Sequence, residues 1–322
     1  MQLFLVTGGC GFIGSHLCEA LLRAGHQVRV LDDLSSGFRS NLPDGVEFLQ
    51  GDVADPTVIQ QAVQGVAGCF HLAAIASVEK GVQDWLGTHN ANLTGTINLL
   101  NAVRALPNAR ETRVVYASSA AVYGDCPVLP ITEDAVKTPL SAYGADKYGC
   151  ELHARVATHV FGIPTTGLRF FNVYGPRQDP KSPYSGVISI FCDRLRRRDE
   201  VKIFGDGLQS RDFVYVTDVV AALMASMDLQ SSDAQVFNVC TGRATTVLDL
   251  AHVIAELCGH AADIAHCEAR AGEIRHSIGS SAVTSVALSL QKPVYLRDGL
   301  AEVLSWLGAA DWGDNRTTAY FS

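Results

Sequence analysis

The stretch Tyr143-Gly144-Ala145-Asp146-Lys147 sets a phenol and an ammonium four residues apart. On a helix that spacing stacks both side chains on one face, one turn apart. A phenol has an ordinary pKa of about 10 and is a poor base at neutrality; lowering it by three units takes about 4 kcal/mol. One cation about 4 Å away, in an effective dielectric near 20, supplies energy of that order before desolvation opposes it. The pair could therefore act as a general base, although such a short pattern taken alone is more often an exposed helical pair. Ahead of it, Tyr116-Ala117-Ser118-Ser119-Ala120-Ala121-Val122-Tyr123-Gly124 closes an apolar run on two serines.

A second constellation stands near the start of the chain. Thr7-Gly8-Gly9-Cys10-Gly11-Phe12-Ile13-Gly14-Ser15-His16-Leu17 follows a short apolar run and leads into an amphipathic helix. Gly9, Gly11 and Gly14 fit G-x-G-x-x-G, while Gly8, Gly11 and Gly14 fit G-x-x-G-x-x-G. On either spacing the glycines permit a tight turn and let a pyrophosphate approach the helix N-terminus. The next strand ends at Asp32, where a carboxylate can accept from both hydroxyls of a ribose. Asp32 and Asp33 would repel a 2′-phosphate, which favours NAD over NADP, although Arg39 is near enough in sequence to offset them. Gly51-Asp52-Val53 offers a carboxylate to an adenine amino group, with a helix N-cap as the alternative for Asp52. His71-Leu72-Ala73-Ala74 supplies small residues across which a cofactor can lie, or simply close packing. An oxidised nicotinamide ring would add its positive charge to that of Lys147.

The elements that must position these groups alternate in kind. Apolar β-rich runs stand at 3–7, 27–32, 47–50, 69–72 and 113–118, with amphipathic stretches at 13–24, 57–64 and 88–104 between them. Strands as continuously apolar as Val28-Arg29-Val30-Leu31 and Val114-Val115-Tyr116-Ala117 predict an α/β fold, a Rossmann-type doubly wound parallel sheet with helices on both faces. A helix from Tyr143 to about Val160 and a strand at 165–171 follow, after which Pro176, Pro180 and Pro183 break regular structure. Helical pieces near 187–198, 216–227, 247–257 and 297–307 predict a smaller, interleaved C-terminal substrate lobe. The expected division gives 1–171 with about 212–240 to the dinucleotide domain, and 172–211 with 241–322 to the lobe.

Composition narrows the function. The 322 residues are 48% apolar and 18% charged, enough to bury a large core and too little charged for disorder. Twenty-five Lys and Arg against 33 Asp and Glu give a net charge of −8, and the basic cluster Arg194, Arg196, Arg197 and Arg198 reads as a solvated turn, so nucleic-acid binding is disfavoured. No apolar run approaches the roughly 20 residues of a membrane span. Met1-Gln2-Leu3-Phe4-Leu5-Val6 runs into the glycine turn without a basic leader, so no signal peptide is expected. Nine scattered cysteines, never spaced C-x-x-C, predict reduced thiols and a cytoplasmic protein. Cys258, His260, His266 and Cys267 cluster but fit no usual zinc spacing, so no metal is expected.

The dinucleotide turn, the serine strand end and YxxxK, in that order, resemble the short-chain dehydrogenase/reductase superfamily in its extended branch of nucleotide-sugar enzymes. The likeness continues through Leu168-Arg169-Phe170-Phe171-Asn172-Val173-Tyr174-Gly175-Pro176-Arg177-Gln178, Ile203-Phe204-Gly205-Asp206-Gly207 and Arg211-Asp212-Phe213-Val214-Tyr215-Val216. These segments, with Arg270-Ala271-Gly272-Glu273-Ile274-Arg275, are similar to the lobe of UDP-galactose/UDP-glucose 4-epimerases. The resemblance implies Ser119, Tyr143 and Lys147 as catalytic residues, with Ser119 rather than Ser118 on the sugar hydroxyl. It implies NAD contacts at Gly8, Gly11, Phe12, Ile13, Gly14, Asp32, Asp33, Ser36, Gly37, Asp52, Val53, Leu72, Ala73, Ala74, Asn92, Tyr143, Lys147 and Phe170. For a UDP-sugar substrate, held also at Ser119 and Tyr143, it implies Asn172 and Arg211 on the diphosphate, Val187 and Phe204 about the uracil, and Arg270 closing on the phosphates. It sets Ser277 beside the C2 substituent, where a small side chain leaves room for an N-acetyl group.

Guanidinium groups suit a diphosphate in so acidic a chain, surface salt bridging being the alternative. Ala120 and Ala121 stand where related dehydratases and decarboxylases carry acids, and alanine transfers no proton, so oxidation at C4 and return of the hydride remain. Ala76 stands where some such epimerases carry a Lys. The resemblance further implies a homodimer formed through the Thr88 and Tyr143 helices. The implied activity is NAD-dependent C4 epimerisation of a UDP-hexose, UDP-glucose/UDP-galactose and also UDP-GlcNAc/UDP-GalNAc, through a 4-keto intermediate. UDP-glucuronate epimerisation stays open, although Ile75-Ala76-Ser77-Val78-Glu79 shows no cation for the uronate carboxylate and Glu79 would oppose it. A plain NAD-dependent nucleotide-sugar oxidoreductase and a non-catalytic dinucleotide sensor are the other readings; a sensor would not need Tyr143, Lys147 and Ser119 together. No role is assigned to the tail Trp312 to Ser322.

Overall fold

Nearly continuous apolar runs become parallel strands where helices cover both faces of the sheet. The computed structural model describes residues 1–182, 186–270, 272 and 274–309, with the backbone alone at Val78. Pro183, Ala271, Glu273 and the tail from Trp312 lie outside the described residues. The chain begins with β1 (Leu3–Thr7), β2 (Gln27–Asp32), β3 (Glu47–Gln50), β4 (Gly68–His71), β5 (Arg113–Ser119) and β6 (Thr165–Phe170). Short strands β7 (Asn172–Tyr174), β8 (Val201–Phe204), β9 (Ser210–Arg211) and β10 (Phe213–Tyr215) precede β11 (Gln235–Val239), and β12 (Thr245–Thr246), β13 (Ile264–Cys267) and β14 (His276–Ser277) follow. The helices are α1 (Phe12–Arg23), α2 (Pro56–Ala62), α3 (Val78–Gln83), α4 (Trp85–His89), α5 (Gly95–Arg104), α6 (Ala142–Phe161), α7 (Val187–Arg196), α8 (Val216–Met227), α9 (Val247–Leu257), α10 (Ala282–Ala287) and α11 (Leu296–Ala309).

Seven strands form one parallel sheet in the order β11-β6-β5-β4-β1-β2-β3. This is the expected doubly wound Rossmann-type fold. Phe4 and Val6 of β1 join the core under α1 and α8, while Leu5 joins the opposite core under α2, α5 and α6. Strand order reverses between β1 and β4, and the crevice at their carboxyl ends is where such sheets bind ligands. A further core joins α7, α9 and α11 through Ile188, Phe191, Leu195, Leu250, Ile254, Leu300 and Val303. Beside it β9 pairs with β12 and β14, and β8 with β13.

Local polar groups move several expected boundaries. The Ser141 hydroxyl accepts from Gly144 N–H at 3.1 Å, so α6 starts at Ala142 and Tyr143 lies within its first turn. The helix expected at 88–104 starts at Trp85, capped by Asp84, and carries a π segment at Asn90–Thr94. Asp55 caps α2 by accepting from Thr57 N–H at 2.8 Å, so Asp52 is not the cap and instead accepts from Ala54 N–H. Arg196 and Arg197 both pair with Asp193. All nine cysteines are free thiols. The His260 and His266 rings face backbone carbonyls, and among the described residues no group of three metal-ligating side chains converges. Among the described residues no helix is long and apolar enough to cross a membrane.

Candidate active site

The glycine turn closes on itself and on the end of β4. Gly8 has φ +70°, and a methyl there would stand 2.7 Å from Ala73 N; a methyl at Gly14 would overlap the Gly8 carbonyl. Only glycine at both positions lets turn, helix and strand end meet. Gly11 caps α1 without a side chain, so the first amides of the helix can receive an anion with Phe12 and Ile13 beside them. Asp32 is buried, accepting from Cys10 N–H and Leu34 N–H, each at 2.9 Å. Burial raises its pKa while those hydrogen bonds lower it, with a net upward shift.

Asp33 accepts from both the amide and the hydroxyl of Ser35. The loop through Ser36 and Gly37 returns onto the turn, Phe38 N–H donating to Cys10 O at 3.1 Å. Arg39 lies 4.7 Å over the Phe48 ring. Val53 is buried, and the Asn98 amide holds its carbonyl and that of Ala54. These features fit a dinucleotide: a collar of backbone at the helix N-terminus and a carboxylate at the end of β2.

A buried imidazole that the sequence reading left without a role ties this collar together. Thr96 donates to Asn92 O at 2.7 Å and so accepts from His71 Nε2–H at 3.0 Å. His71 Nδ1 then accepts from the Thr7 hydroxyl at 2.8 Å, whose oxygen takes Ala73 N–H. Burial, aided by the Lys147 charge, holds the His71 pKa down at about 3, so the ring is neutral. Leu72 N–H donates to Thr7 O, and Asn92 grips both backbone groups of Ile75 just past Ala74, at 2.8 and 3.2 Å.

The helix α6 carries the phenol and the ammonium, and the Lys147 charge reaches His71 in this collar. Lys147 is 4% exposed, donates to Ala117 O at 2.9 Å, and holds its Nζ 5.9 Å from the centre of the Tyr143 ring. A methyl at Gly144 would stand 2.6 Å from Ala121 O, so the first turn of α6 lies directly on the segment after Ser119. Ser119 accepts from Ala121 N–H and is the register partner of Phe170. Ser118 points elsewhere, donating to Glu151 at 2.5 Å. Glu151 is in turn held by Arg169 at 2.7 and 2.8 Å, and Arg169 reaches Tyr123 OH at 2.7 Å. This buried network fixes β5, β6 and α6 around the site. No spacing in the sequence marked it.

In the lobe, Arg270 lies 4.0 Å over the Phe204 ring, and Ser277 is the register partner of Arg211. Asn172 is exposed, its N–H donating to Asp212 O. Asp212, behind Arg211, is buried on Thr241, Gly242 and Gly279. Val187 is on a separate element as the first residue of α7, packed against the lobe core.

Comparison with known proteins agrees with this fold. The NAD dependent epimerase/dehydratase family matches residues 4–240. The UDP-glucose 4-epimerase of Mycolicibacterium smegmatis is 36% identical over 309 residues, covering 94% of this chain and 97% of the relative. A crystal structure of the Thermotoga maritima UDP-glucose 4-epimerase with UDP-glucose has a TM-score of 0.90 and 35% identity, over 95% of this chain and 98% of that one. The UDP-N-acetylglucosamine 4-epimerase of Methanobrevibacter ruminantium, in complex with UDP-N-acetylmuramic acid, has a TM-score of 0.89 and 33% identity, over 95% and 97%. Because the family match spans most of the chain and relatives above 30% identity extend over nearly all of it, the chain belongs to the NAD-dependent epimerase/dehydratase family, with NAD as its cofactor.

Proposed function

We propose that this enzyme inverts C4 of a UDP-hexose, interconverting UDP-glucose and UDP-galactose, and that it also admits the N-acetylated pair. The observation that carries the reading is the first turn of α6, which bears Tyr143 with Lys147 one turn behind and packs through Gly144 on Ala121, in a segment after Ser119 that holds no acid. Tyr143 as phenolate takes the C4 hydroxyl proton while Ser119 hydrogen-bonds the same hydroxyl. Lys147, fixed on Ala117 O, stabilises the phenolate. When bound, NAD supplies a hydride acceptor for C4 that returns the hydride to the opposite face of the keto sugar. Tyr143 then gives back the proton, so the reaction has no net redox change.

Residues 1–171 with about 212–240 carry the cofactor in this proposal, and 172–211 with 241–322 the nucleotide sugar. Arg270 and Phe204 suit a base and its phosphates, Arg211 and Asn172 the diphosphate, and Ser277 the C2 substituent. The named substrates of the Thermotoga and Methanobrevibacter relatives support both sugar classes. The enzyme acts as a homodimer through α4, α5 and α6 in the cytoplasm. The test is incubation with UDP-glucose, UDP-GlcNAc and UDP-glucuronate separately, resolving C4 epimers chromatographically while following NADH absorbance. Epimers of the first two without NADH release are expected. Accumulating NADH, or turnover of UDP-glucuronate alone, would overturn the assignment.

A further inference from the structure

A hydrogen bond joins α4, which leads into the segment that grips the cofactor loop, to the first turns of the helix that carries the phenol. His89 ends α4, and its Nδ1 lies 2.8 Å from Asp146 Oδ1. A carboxylate only accepts, so Nδ1 carries the proton. The Asp146 side chain is 6% exposed against 43% for His89. Its second oxygen, Oδ2, is buried without a partner among the described residues. His89 is thus the polar group on which this carboxylate depends, and an unpaired buried carboxylate is strongly disfavoured.

The pair is placed where alignment matters. Asp146 directly precedes Lys147 and lies three residues beyond Tyr143 on α6. His89 directly precedes the π segment Asn90–Thr94, whose buried Asn92 holds Ile75 by both backbone groups. A π turn inside an α-helix loosens the regular ladder and is frequent at functional sites. The segment before it also lies on α6: a methyl at Gly81 of α3 would stand 3.6 Å from Ala142 Cβ and 3.8 Å from Tyr143 N. Thr88, next to His89, is buried with its hydroxyl unpartnered among the described residues. Further along α6, Cys150 donates to Asn92 O at 3.4 Å and lies 3.2 Å from Thr96 Oγ1, so the His89–Asp146 bond is the polar tie beside Tyr143 and Lys147 and the Cys150 contacts are a weaker one a turn away.

We propose that His89 and Asp146 are a positioning pair for the epimerisation, holding the Asn92 clamp, and with it the cofactor loop, in register with Tyr143 and Lys147. The inference rests on the epimerase reading above. Neither residue touches the reacting atoms. Misplacing reacting groups by about 1 Å can cost about 100-fold in rate while binding is little changed, so the pair acts on kcat.

The test uses the full-length holoenzyme and the UDP-sugar on which the wild type is most active. His89→Ala is expected to lower kcat at least tenfold with KM changed less than threefold. His89→Gln, whose amide can still donate to Asp146, should return kcat to within threefold of wild type. The double variant His89→Ala/Asp146→Ala removes the stranded carboxylate and should fold even where the single one does not. Its kcat should match that of Asp146→Ala alone, because partners in one interaction are not additive. Wild-type kcat in folded His89→Ala, multiplying losses in the double variant, or no rescue by Gln would overturn the pair. A wild type inactive on every UDP-sugar would instead overturn the reading beneath it.

Discussion

At the scale of single residues, proton transfer and proton exclusion stand side by side. In the proposed mechanism Tyr143 takes a proton, whereas burial makes His71 refuse one. Removing a general base typically costs about 100- to 10,000-fold, so Tyr143→Phe should lose that much in kcat while still binding NAD, as read by steady-state kinetics and the absorbance of the released cofactor. Unchanged turnover would remove the phenol from the mechanism. His71 contributes through pH: its folded pKa is about 3 against 6.5 for the free side chain. Between those values the unfolded chain binds more protons than the folded one, so stability is complete above about pH 6.5 and is lost as pH falls towards 3, by about 5 kcal/mol at most. His71→Asn removes this titration. Urea unfolding of both proteins at pH 7.5 and 4.5 should show a smaller acid loss in the variant, and equal losses would mean that other groups govern the acid limb.

At the scale of elements, the site is held by what crosses between them. The Arg169 guanidinium and the Glu151 carboxylate are both about 95% buried and joined at 2.7 Å, tying β6 to α6, while Ser118 ties in β5. Breaking such a pair from one side costs about 3–5 kcal/mol because a charge is left buried, whereas replacing both partners with apolar groups is often neutral. Arg169→Met should therefore unfold at much lower denaturant than wild type, and Arg169→Met/Glu151→Leu should recover most of the difference; a double variant as unstable as the single would contradict this. Six of the seven strands of the parallel sheet were legible as short apolar runs, and the glycine turn and the Tyr143–Lys147 pair because their spacing is local; the edge strand β11 was not, since Gln235 and Asn238 interrupt its apolar residues. The register that sets Ser119 beside Phe170 was not, since it depends on pairing strands 51 residues apart. The π segment was hidden because the apolar spacing of 88–104 suits an ordinary helix, and β9, β12 and β14 are two residues long, too short for any period to show. Glu151 and Arg169 share no motif at all.

At the scale of the molecule, α6 presents apolar side chains on two sides. Its inner side buries Cys150, Ala154 and Ala157. Leu152, Val156 and Val160, spaced four apart on the outer side, are 48, 50 and 60% exposed. A helix covering one core should be polar on its outer face, yet here it is apolar, and α5 and α4, which pack on α6, expose Ile97, Leu86 and Trp85. A stripe of this kind is what a second copy would cover, two such helix pairs packing into a four-helix contact about a twofold axis. The proposed homodimer makes a definite prediction: the wild type sediments as a dimer at micromolar concentration, and Leu152→Glu/Val156→Glu, which places four carboxylates in a desolvated interface, sediments as a folded monomer with an unchanged circular dichroism spectrum. A wild-type monomer would remove the dimer from the proposal, and a dimer that survives both carboxylates would move the interface to another face. His89 and Asp146 lie between these same helices. If the monomer also loses kcat while keeping KM, then the partner subunit, by clamping α4 onto α6, supports the same alignment that the hydrogen bond maintains within one chain.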